Sequence, residues 1–229
     1  MNAPSRFCYH QSSALLHNIV PYLDAVSAGS LLDLGAGGGP LAHSLSTHVA
    51  RYCAVERDHG RALELQRAGL DVIHGTFPVP VPASYDVVLA SHSVPPGDYD
   101  PRFLAAACTL VNPGGVILVI TFKGSQGVLA DLRREFLGHD ATRNRYLASL
   151  IEHGETLGAT DVQTFNSYVE SGTAEEIVQF LSPWLSSDPA ARDRFCSPFT
   201  RLVESCYRVR EGMYVFPTQH VCVACRPRA

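Results

Sequence analysis

The segment at residues 31–42, LLDLGAGGGPLA, constrains the fold more than any other part of the sequence. An apolar run that contains one acid is followed by four glycines, Gly35, Gly37, Gly38 and Gly39. This pattern predicts a buried strand that turns sharply into a helix, because glycine adopts the positive φ values of a tight turn. Pro40 suits the first turn of that helix, where a missing N–H costs nothing. The loop between strand and helix is therefore predicted to hold a ligand close to its backbone.

Short apolar runs alternate with helical patterns along the chain, which is typical of βαβ units and a parallel sheet. Strands are predicted at residues 30–34, 52–55, 70–73, 85–90, 116–122, 162–169 and 213–225. Helices are predicted at residues 40–48, 59–68, 102–110, 126–137, 143–157, 174–181 and 189–207, and a turn at 112–115. We predict a doubly wound α/β fold with a seven-stranded sheet, a late antiparallel strand and helical insertions over its carboxyl edge.

Composition bounds the class of protein. The 229 residues are 46% hydrophobic and 17% charged, and no linker-like tract divides them, so a single domain is expected over residues 1–229. A net charge of -4 provides no electrostatic footprint for nucleic acid. The sequence has no apolar run of the roughly 20 residues that cross a bilayer, and no apolar stretch near its start that is typical of a signal peptide. A cytoplasmic protein with a small-molecule partner is expected, and its oligomeric state is left open.

The seven cysteines are an odd number and are scattered, which argues against a disulfide scaffold. Cys222 and Cys225 have the CxxC spacing of a redox or zinc pair. They lie in a β-prone run, however, where residues three apart point to opposite faces of a strand. We therefore expect two buried thiols that diverge.

The glycine loop fits two phosphate-binding motifs poorly. A P-loop requires a lysine after the glycines, and here Pro40 follows them. A dinucleotide site requires a small residue three positions after Gly37, where it packs helix on strand, and Pro40 stands there as well. A nicotinamide oxidoreductase is therefore disfavoured.

The complete pattern resembles a class I S-adenosylmethionine-dependent methyltransferase. It combines Asp33-x-Gly35-x-Gly37-x-Gly39 after one strand, Glu56 at the end of the next, and N-P-G-G at residues 112–115. The resemblance implies a Rossmann-like fold with S-adenosylmethionine as cofactor. It implies a helix at residues 8–29 that closes over the site, a cofactor-binding core at 30–122 and a substrate-specificity half at 123–229.

The resemblance also assigns cofactor-binding residues. A carboxylate in the position of Glu56 accepts both ribose hydroxyls, which a two-oxygen acceptor can do. Gly35 and Gly37 let the backbone approach the ribose and the methionine part of the cofactor. Asp33 is expected to support the loop by accepting backbone N–H groups. The adenine and the methyl region are expected near Thr76, Phe77 and Ser91.

Four stretches resemble histamine N-methyltransferase more narrowly: RFCYHQSS, YDVVLASHSV, FKGSQGVLADLRREF and GMYVFPTQHVCVACR. Three positions that carry polar residues in that family differ here. His92 stands where the family has a glutamine, Ser13 lies near the position of the family's substrate-binding glutamate, and Pro217 lies near the position of its C-terminal asparagine. A buried ammonium without a carboxylate is costly. The resemblance therefore implies a larger, less charged, aromatic or heteroaromatic substrate, with an indole ring carbon of a tryptophan-derived natural product as one candidate. N-methylation of a small amine or imidazole compound and a non-catalytic cofactor-binding module remain open.

Candidate catalytic and substrate-binding residues follow from position and chemistry. His92 is the first candidate for a base, because histidine titrates near neutral pH and this one follows the fourth strand. Tyr9 and His10 are further candidates, since they belong to the segment expected to close over the cofactor. The candidate substrate-binding residues are Ser13, Glu170, Phe180 and Trp184. We predict no metal site, because the histidines, including His220, lack ligand spacing.

Overall fold

The computed structural model describes residues 8–94, 100–123, 141–185, 189–206 and 212–228. Its strands are β1 (Cys8–Tyr9), β2 (Ser30–Leu34), β3 (Arg51–Glu56), β4 (Asp71–His74), β5 (Tyr85–Ser91), β6 (Val111–Phe122), β7 (Gly158–Ser171) and β8 (Tyr214–Pro227). Its helices are α1 (Gln11–Ala25), α2 (Pro40–Ser46), α3 (His59–Arg67), α4 (Pro101–Cys108), α5 (Ala141–Leu157), α6 (Ala174–Leu185) and α7 (Pro189–Cys206). No helix among these residues is long and apolar enough to span a membrane.

The described residues form two compact units. The larger unit includes residues 12–122, 142–165 and 220–228 where described, and thus α1 to α5, β2 to β6, the first half of β7 and the second half of β8. The smaller unit includes residues 8–11 and the described part of 166–219. The prediction of a single domain is not decided by this division into units.

The sheet of the larger unit has the strand order β7-β8-β6-β5-β2-β3-β4. Strands β4, β3, β2, β5 and β6 are parallel, and β8 is antiparallel to β6, with Ile120 opposite Cys222. Two apolar clusters cover its faces. One holds α1, α2 and α3 through Ile19, Leu45 and Leu65, and the other holds α4 and α5 through residues such as Leu104. Helices on both faces of a largely parallel sheet confirm the predicted doubly wound fold with its late antiparallel strand.

Cys222 and Cys225, the pair with CxxC spacing, both lie on β8. Cys222 packs into the cluster on one face of the sheet and Cys225 into the cluster on the other. Both are buried, and both are free thiols. The expectation of diverging, buried thiols is confirmed.

In the smaller unit, β1 pairs antiparallel with the end of β7, where Cys8 lies opposite Glu170 and Tyr9 opposite Val169. This short β1 is the strand that the prediction of seven lacked. Helices α6 and α7 pack around a separate cluster that includes Phe195, Phe199 and Phe216.

Most element predictions are confirmed within a few residues, and one is wrong. The turn predicted at residues 112–115 is instead the beginning of β6, with a register shift against β5 between Tyr85 and Val87. Gly115 packs so closely on the carbonyl of Asp86 that a Cβ would collide with it. Asn112 donates to the Asp86 carboxylate at 2.8 Å, so the N-P-G-G motif ties β6 to β5. The helix predicted at residues 126–137 lies outside the described residues.

Candidate active site

A pocket of about 270 Å³ lies at the carboxyl ends of β2, β3 and β5 in the larger unit. An open α/β sheet places its ligand at this edge, where successive strands leave in opposite directions. The pocket is lined by Leu34, Gly35, Gly37, Val55, Glu56, Arg57, Arg61, Gly75, Thr76, Phe77, His92, Ser93 and Phe103. Six residues that the sequence nominated thus meet in one place.

The glycine loop forms one wall of the pocket. Gly35, Gly37 and Gly39 all have positive φ, at 81°, 66° and 106°. At Gly35 a Cβ would collide with the side chain of Ser93, whereas at Gly37 it would meet no atom within 4 Å. The loop therefore needs glycine at position 35 for close packing, and at position 37 it borders open space.

Glu56 holds the loop in this shape. Its side chain is buried, with 4% of its surface exposed. One carboxylate oxygen accepts the N–H of Gly37 and the other the N–H of Asp58, each at 2.8 Å. The carboxylate is therefore positioned by backbone donors from both neighbouring loops, and each oxygen retains a lone pair for a further donor.

Asp33 has a different environment from the one expected. Its Oδ2 accepts the hydroxyl of Tyr52 at 2.8 Å, and Glu56, rather than Asp33, accepts an N–H of the glycine loop. Asp33 is 2% exposed and does not line the pocket. The pKa of Asp33 is raised from 3.8 to about 7: burial is the largest cause, the bond from Tyr52 opposes the rise, and the nearby Glu56 adds to it. Its support of the loop is indirect, through the end of β2.

Aromatic and hydroxyl groups also line the pocket. Phe77 lies edge-on to Phe103, with ring centroids 5.3 Å apart, and Thr76 is exposed beside it. The hydroxyls of Ser91 and Ser93 are buried and have no hydrogen-bond partner among the described residues. A buried hydroxyl without a partner costs about 1–3 kcal/mol, so the Ser93 hydroxyl is suited to a polar ligand. Ser91, unlike Ser93, does not line the pocket.

These observations fit an S-adenosylmethionine-type cofactor. The pocket offers a glycine backbone that borders open space, a buried carboxylate with spare lone pairs, an aromatic pair and the unsatisfied hydroxyl of Ser93. These groups supply what a ribose, an adenine and a polar tail require. The cofactor roles of Asp33, Gly35, Gly37, Glu56, Thr76, Phe77 and Ser91 stay predictions.

His92 follows β5 on the border of the pocket. Its backbone has a φ of 53°, which is uncommon outside glycine, and its N–H donates to the Ile120 carbonyl at 2.8 Å. Its ring lies 4.3 Å from that of Phe122, and its Nε2 lies 3.1 Å from Nδ1 of His220. Local strain of this kind is frequent at functional sites.

Both histidines are held in the neutral form. Burial, with a smaller contribution from His220, lowers the pKa of His92 from 6.5 to about 3. Burial likewise lowers the pKa of His220 to about 4. At neutral pH each ring therefore carries one N–H and one unprotonated nitrogen.

The other candidates lie elsewhere. In the smaller unit, the ring of Tyr9 is 4.7 Å from that of Phe180, and His10 Nε2 is 3.2 Å from the Glu170 carboxylate. Burial raises the pKa of Tyr9 above its ordinary value of 10, which disfavours a phenolate. Ser13 is exposed on α1 of the larger unit. The side chain of Trp184 lies outside the described residues.

Seven pocket residues were not predicted as site residues: Leu34, Val55, Gly75, Arg57, Arg61, Ser93 and Phe103. Leu34 and Val55 had a signal, because each ends a predicted strand. Ser93 had a signal, because it follows His92 directly after a predicted strand. Arg57 and Arg61 also had one, since they follow Glu56 at the start of a predicted helix. Phe103 had none, because it belongs to a helix after an intervening loop.

The fold and pocket define an α/β domain that binds a cofactor where its parallel strands end. The sequence matches the methyltransferase domain family over residues 6–190. The chain belongs to this family, and it is an S-adenosylmethionine-dependent methyltransferase. No curated protein matches the chain.

Solved structures share the fold at low sequence identity. The YcgJ protein of Bacillus subtilis is 15% identical, with a TM-score of 0.60 over 94% of this chain and 97% of that one. A SAM-dependent methyltransferase from Thiobacillus denitrificans, in complex with S-adenosyl-L-homocysteine, is 13% identical, with a TM-score of 0.55 over 93% and 90%. One from Geobacter sulfurreducens, in the same type of complex, is 15% identical, with a TM-score of 0.52 over 92% and 91%.

Proposed function

We propose that this methyltransferase acts on a small aromatic or heteroaromatic molecule, with an indole ring carbon as the leading acceptor. The observation that carries the proposal is His92, a neutral imidazole at the border of the pocket with aromatic rings behind it. When bound, the cofactor supplies an electrophilic methyl group on its sulfonium. The protein then has to position a nucleophile near that methyl group and exclude water.

The charges of the pocket favour a neutral acceptor. Among its described lining residues the single carboxylate is Glu56, and both of its oxygens already accept backbone N–H groups. Arg57 and Arg61 add positive charge to the lining. A cationic amine would thus have to share Glu56 with the cofactor, whereas an aromatic ring needs no carboxylate.

The chain's own groups then have distinct tasks. Glu56 and the backbone of Gly37 would hold the ribose region, and Phe77 would pack against the adenine. His92 would orient the acceptor. Its unprotonated nitrogen can accept a hydrogen bond from a ring N–H, or the proton that leaves when a ring carbon or neutral nitrogen is methylated. Its low pKa limits it to protons that become strongly acidic during the reaction.

The first test is calorimetry with S-adenosyl-L-homocysteine, with NAD as control. Binding of S-adenosyl-L-homocysteine alone is expected, and binding of NAD alone would overturn the cofactor assignment. Methyl transfer is then measured by mass spectrometry with indoles, imidazoles, phenols and aliphatic amines. Products from the aromatic acceptors support the proposal. Transfer to aliphatic amines only would contradict it, and cofactor binding without any transfer would favour a non-catalytic module.

The resemblance to histamine N-methyltransferase suggests a further variant, His92→Gln, which restores that family's residue. If His92 accepts the departing proton, this variant is expected to lose about 100-fold or more in kcat on a ring-carbon acceptor while it keeps its affinity for S-adenosyl-L-homocysteine. An unchanged kcat would show that His92 only lines the site.

A further inference from the structure

His220 is a second buried histidine, and its ring contacts that of His92. It stands on β8, opposite Phe122 of β6 in the antiparallel ladder. Its Nδ1 is 3.1 Å from Nε2 of His92, a hydrogen-bond distance, and 128 residues separate the two in sequence. The contact therefore exists only because β8 returns beside β6.

Aromatic packing fixes the ring of His220. The side chain is fully buried, with 0% of its surface exposed. Phe165 stacks on it at 5.0 Å with an interplanar angle of 21°, and Phe122 lies at 5.1 Å and 34°. A ring held in this way between two phenyl groups presents a constant edge to His92.

A hydrogen bond between two neutral imidazoles selects tautomers. Only one of the two facing nitrogens can carry the proton. If Nε2 of His92 carries it, Nδ1 of His92 is unprotonated and can accept a proton, whereas a proton on Nδ1 of His220 would leave Nδ1 of His92 protonated. The proposed role of His92 requires the first arrangement. Because Nε2 of His92 is engaged with His220, Nδ1 is the nitrogen left for another partner. Partners of this type orient functional histidines in many sites.

We infer that His220 is a positioning residue: its Nδ1 contact holds His92 in one tautomer and one ring orientation, so that Nδ1 of His92 meets the methyl acceptor. This role rests on the proposed function of His92, and it adds a residue that touches neither cofactor nor acceptor.

The direct test is nitrogen NMR of the full chain with ¹⁵N-labelled histidine. Assignment uses His92→Gln and His220→Asn. In the wild type we expect a scalar coupling across the hydrogen bond between the two nitrogens, and separate pyrrole-type and pyridine-type resonances for His92. Averaged His92 resonances without the coupling would overturn the inference, whether or not any variant folds.

Two variants separate hydrogen bonding from packing. His220→Phe keeps an aromatic ring between Phe165 and Phe122 but removes the bond, so the His92 resonances should move towards tautomer averaging. His220→Asn places an amide near the position of Nδ1 and should retain one tautomer, as should the packing control Phe165→Leu. Identical His92 resonances in His220→Phe and the wild type would contradict the role.

Kinetics complete the test. With an accepted substrate, His220→Phe should lower kcat about tenfold, leave the affinity for S-adenosyl-L-homocysteine unchanged, and be rescued in part by His220→Asn. Equal activity of His220→Phe and wild type would overturn the positioning role. A failed substrate panel with intact nitrogen coupling would instead count against the proposed function, so the two failures are distinguishable.

Discussion

Two neighbouring regions of the larger unit bury ionisable groups in opposite ways. At the ends of β2 and β3 the buried groups are acids, Asp33 and Glu56, and hydroxyl or backbone N–H donors face them. At the end of β5 and on the neighbouring part of β8 they are bases, His92 and His220, and they face each other among phenyl rings. The first region is polar before any ligand binds, whereas the second stays neutral.

The difference teaches how one pocket can serve two partners. A ribose and a polar tail require fixed acceptors and donors, which the acidic region supplies at no further cost of reorganisation. The aromatic acceptor that we propose would require contacts without charge, and desolvation keeps the histidine pair uncharged. Substitutions in the two regions should therefore change the pH dependence of stability in opposite directions. Their effects on ligand binding and on packing should be separable.

The largest expected effect is the pH dependence that Asp33 causes. Folded Asp33 keeps its proton up to about pH 7, while the unfolded chain loses it near 3.8. The folded state thus binds more protons between these values, and the free energy of unfolding falls as pH rises. Asp33→Asn should gain stability relative to wild type, by up to about 4 kcal/mol between pH 4 and 8. Urea denaturation measures this, the exposed Asp24→Asn is the control, and parallel curves would contradict it.

The next effect concerns Glu56. In Glu56→Gln the charge is lost and an amide N–H faces one of the two backbone donors, so affinity for S-adenosyl-L-homocysteine should fall about 100-fold. Glu64→Gln, an exposed acid on α3, should bind like the wild type. Calorimetry measures both, and an unchanged Kd for a folded Glu56→Gln would remove Glu56 from the site.

A smaller effect is expected within the glycine loop. Gly35→Ala meets the side chain of Ser93 at a φ of 81°, so it should destabilise the fold by about 2 kcal/mol. Gly38→Ala meets no atom within 4 Å and should be nearly neutral. Thermal unfolding of the two variants compares them directly. Equal melting temperatures would show that the loop is not packed against β5.

The smallest effect is acid sensitivity from the histidine pair. The pKa of His220 is about 4 when folded and 6.5 when unfolded, so its neutral form stabilises the fold above pH 6.5 and this contribution is lost as pH falls. Between pH 7 and pH 5, the free energy of unfolding of His220→Phe should therefore fall by about 1–2 kcal/mol less than that of the wild type. Denaturant titrations at both pH values measure this difference. A larger fall in the free energy of unfolding of the variant than of the wild type would contradict the prediction.

Local sequence rules predicted the regular part of the fold well. Residues 30–34 form the predicted strand, Pro40 begins α2, and Gly69 ends α3 with a φ of 83°. They failed at residues 112–115, where turn residues enter β6 and the carbonyl of Asp86 in β5 leaves room only for glycine at position 115. Propensity is a local preference, and pairing with a neighbouring strand overrides it.

The candidate site divides in the same way. The sequence was sufficient to predict that the glycine loop, Glu56 after β3 and His92 after β5 lie at one edge of the sheet, because parallel strands bring their carboxyl ends together. The sequence could not predict which acid accepts the N–H of the glycine loop, since Asp33 and Glu56 both lie at the ends of buried strands. The unsatisfied hydroxyl of Ser93 likewise depends on neighbours that no spacing rule supplies.

The sequence by itself determined the alternation of strands and helices, the glycine loop and the class of cofactor, because these depend on residue types within short stretches. Only the tertiary structure decided that Tyr52 faces Asp33 and that His220 faces His92. The physical reason is that strand order in the sheet creates both contacts: β2 and β3 are paired, and β5 and β8 both flank β6. Burial at those contacts, rather than residue type, then determines which groups carry charge.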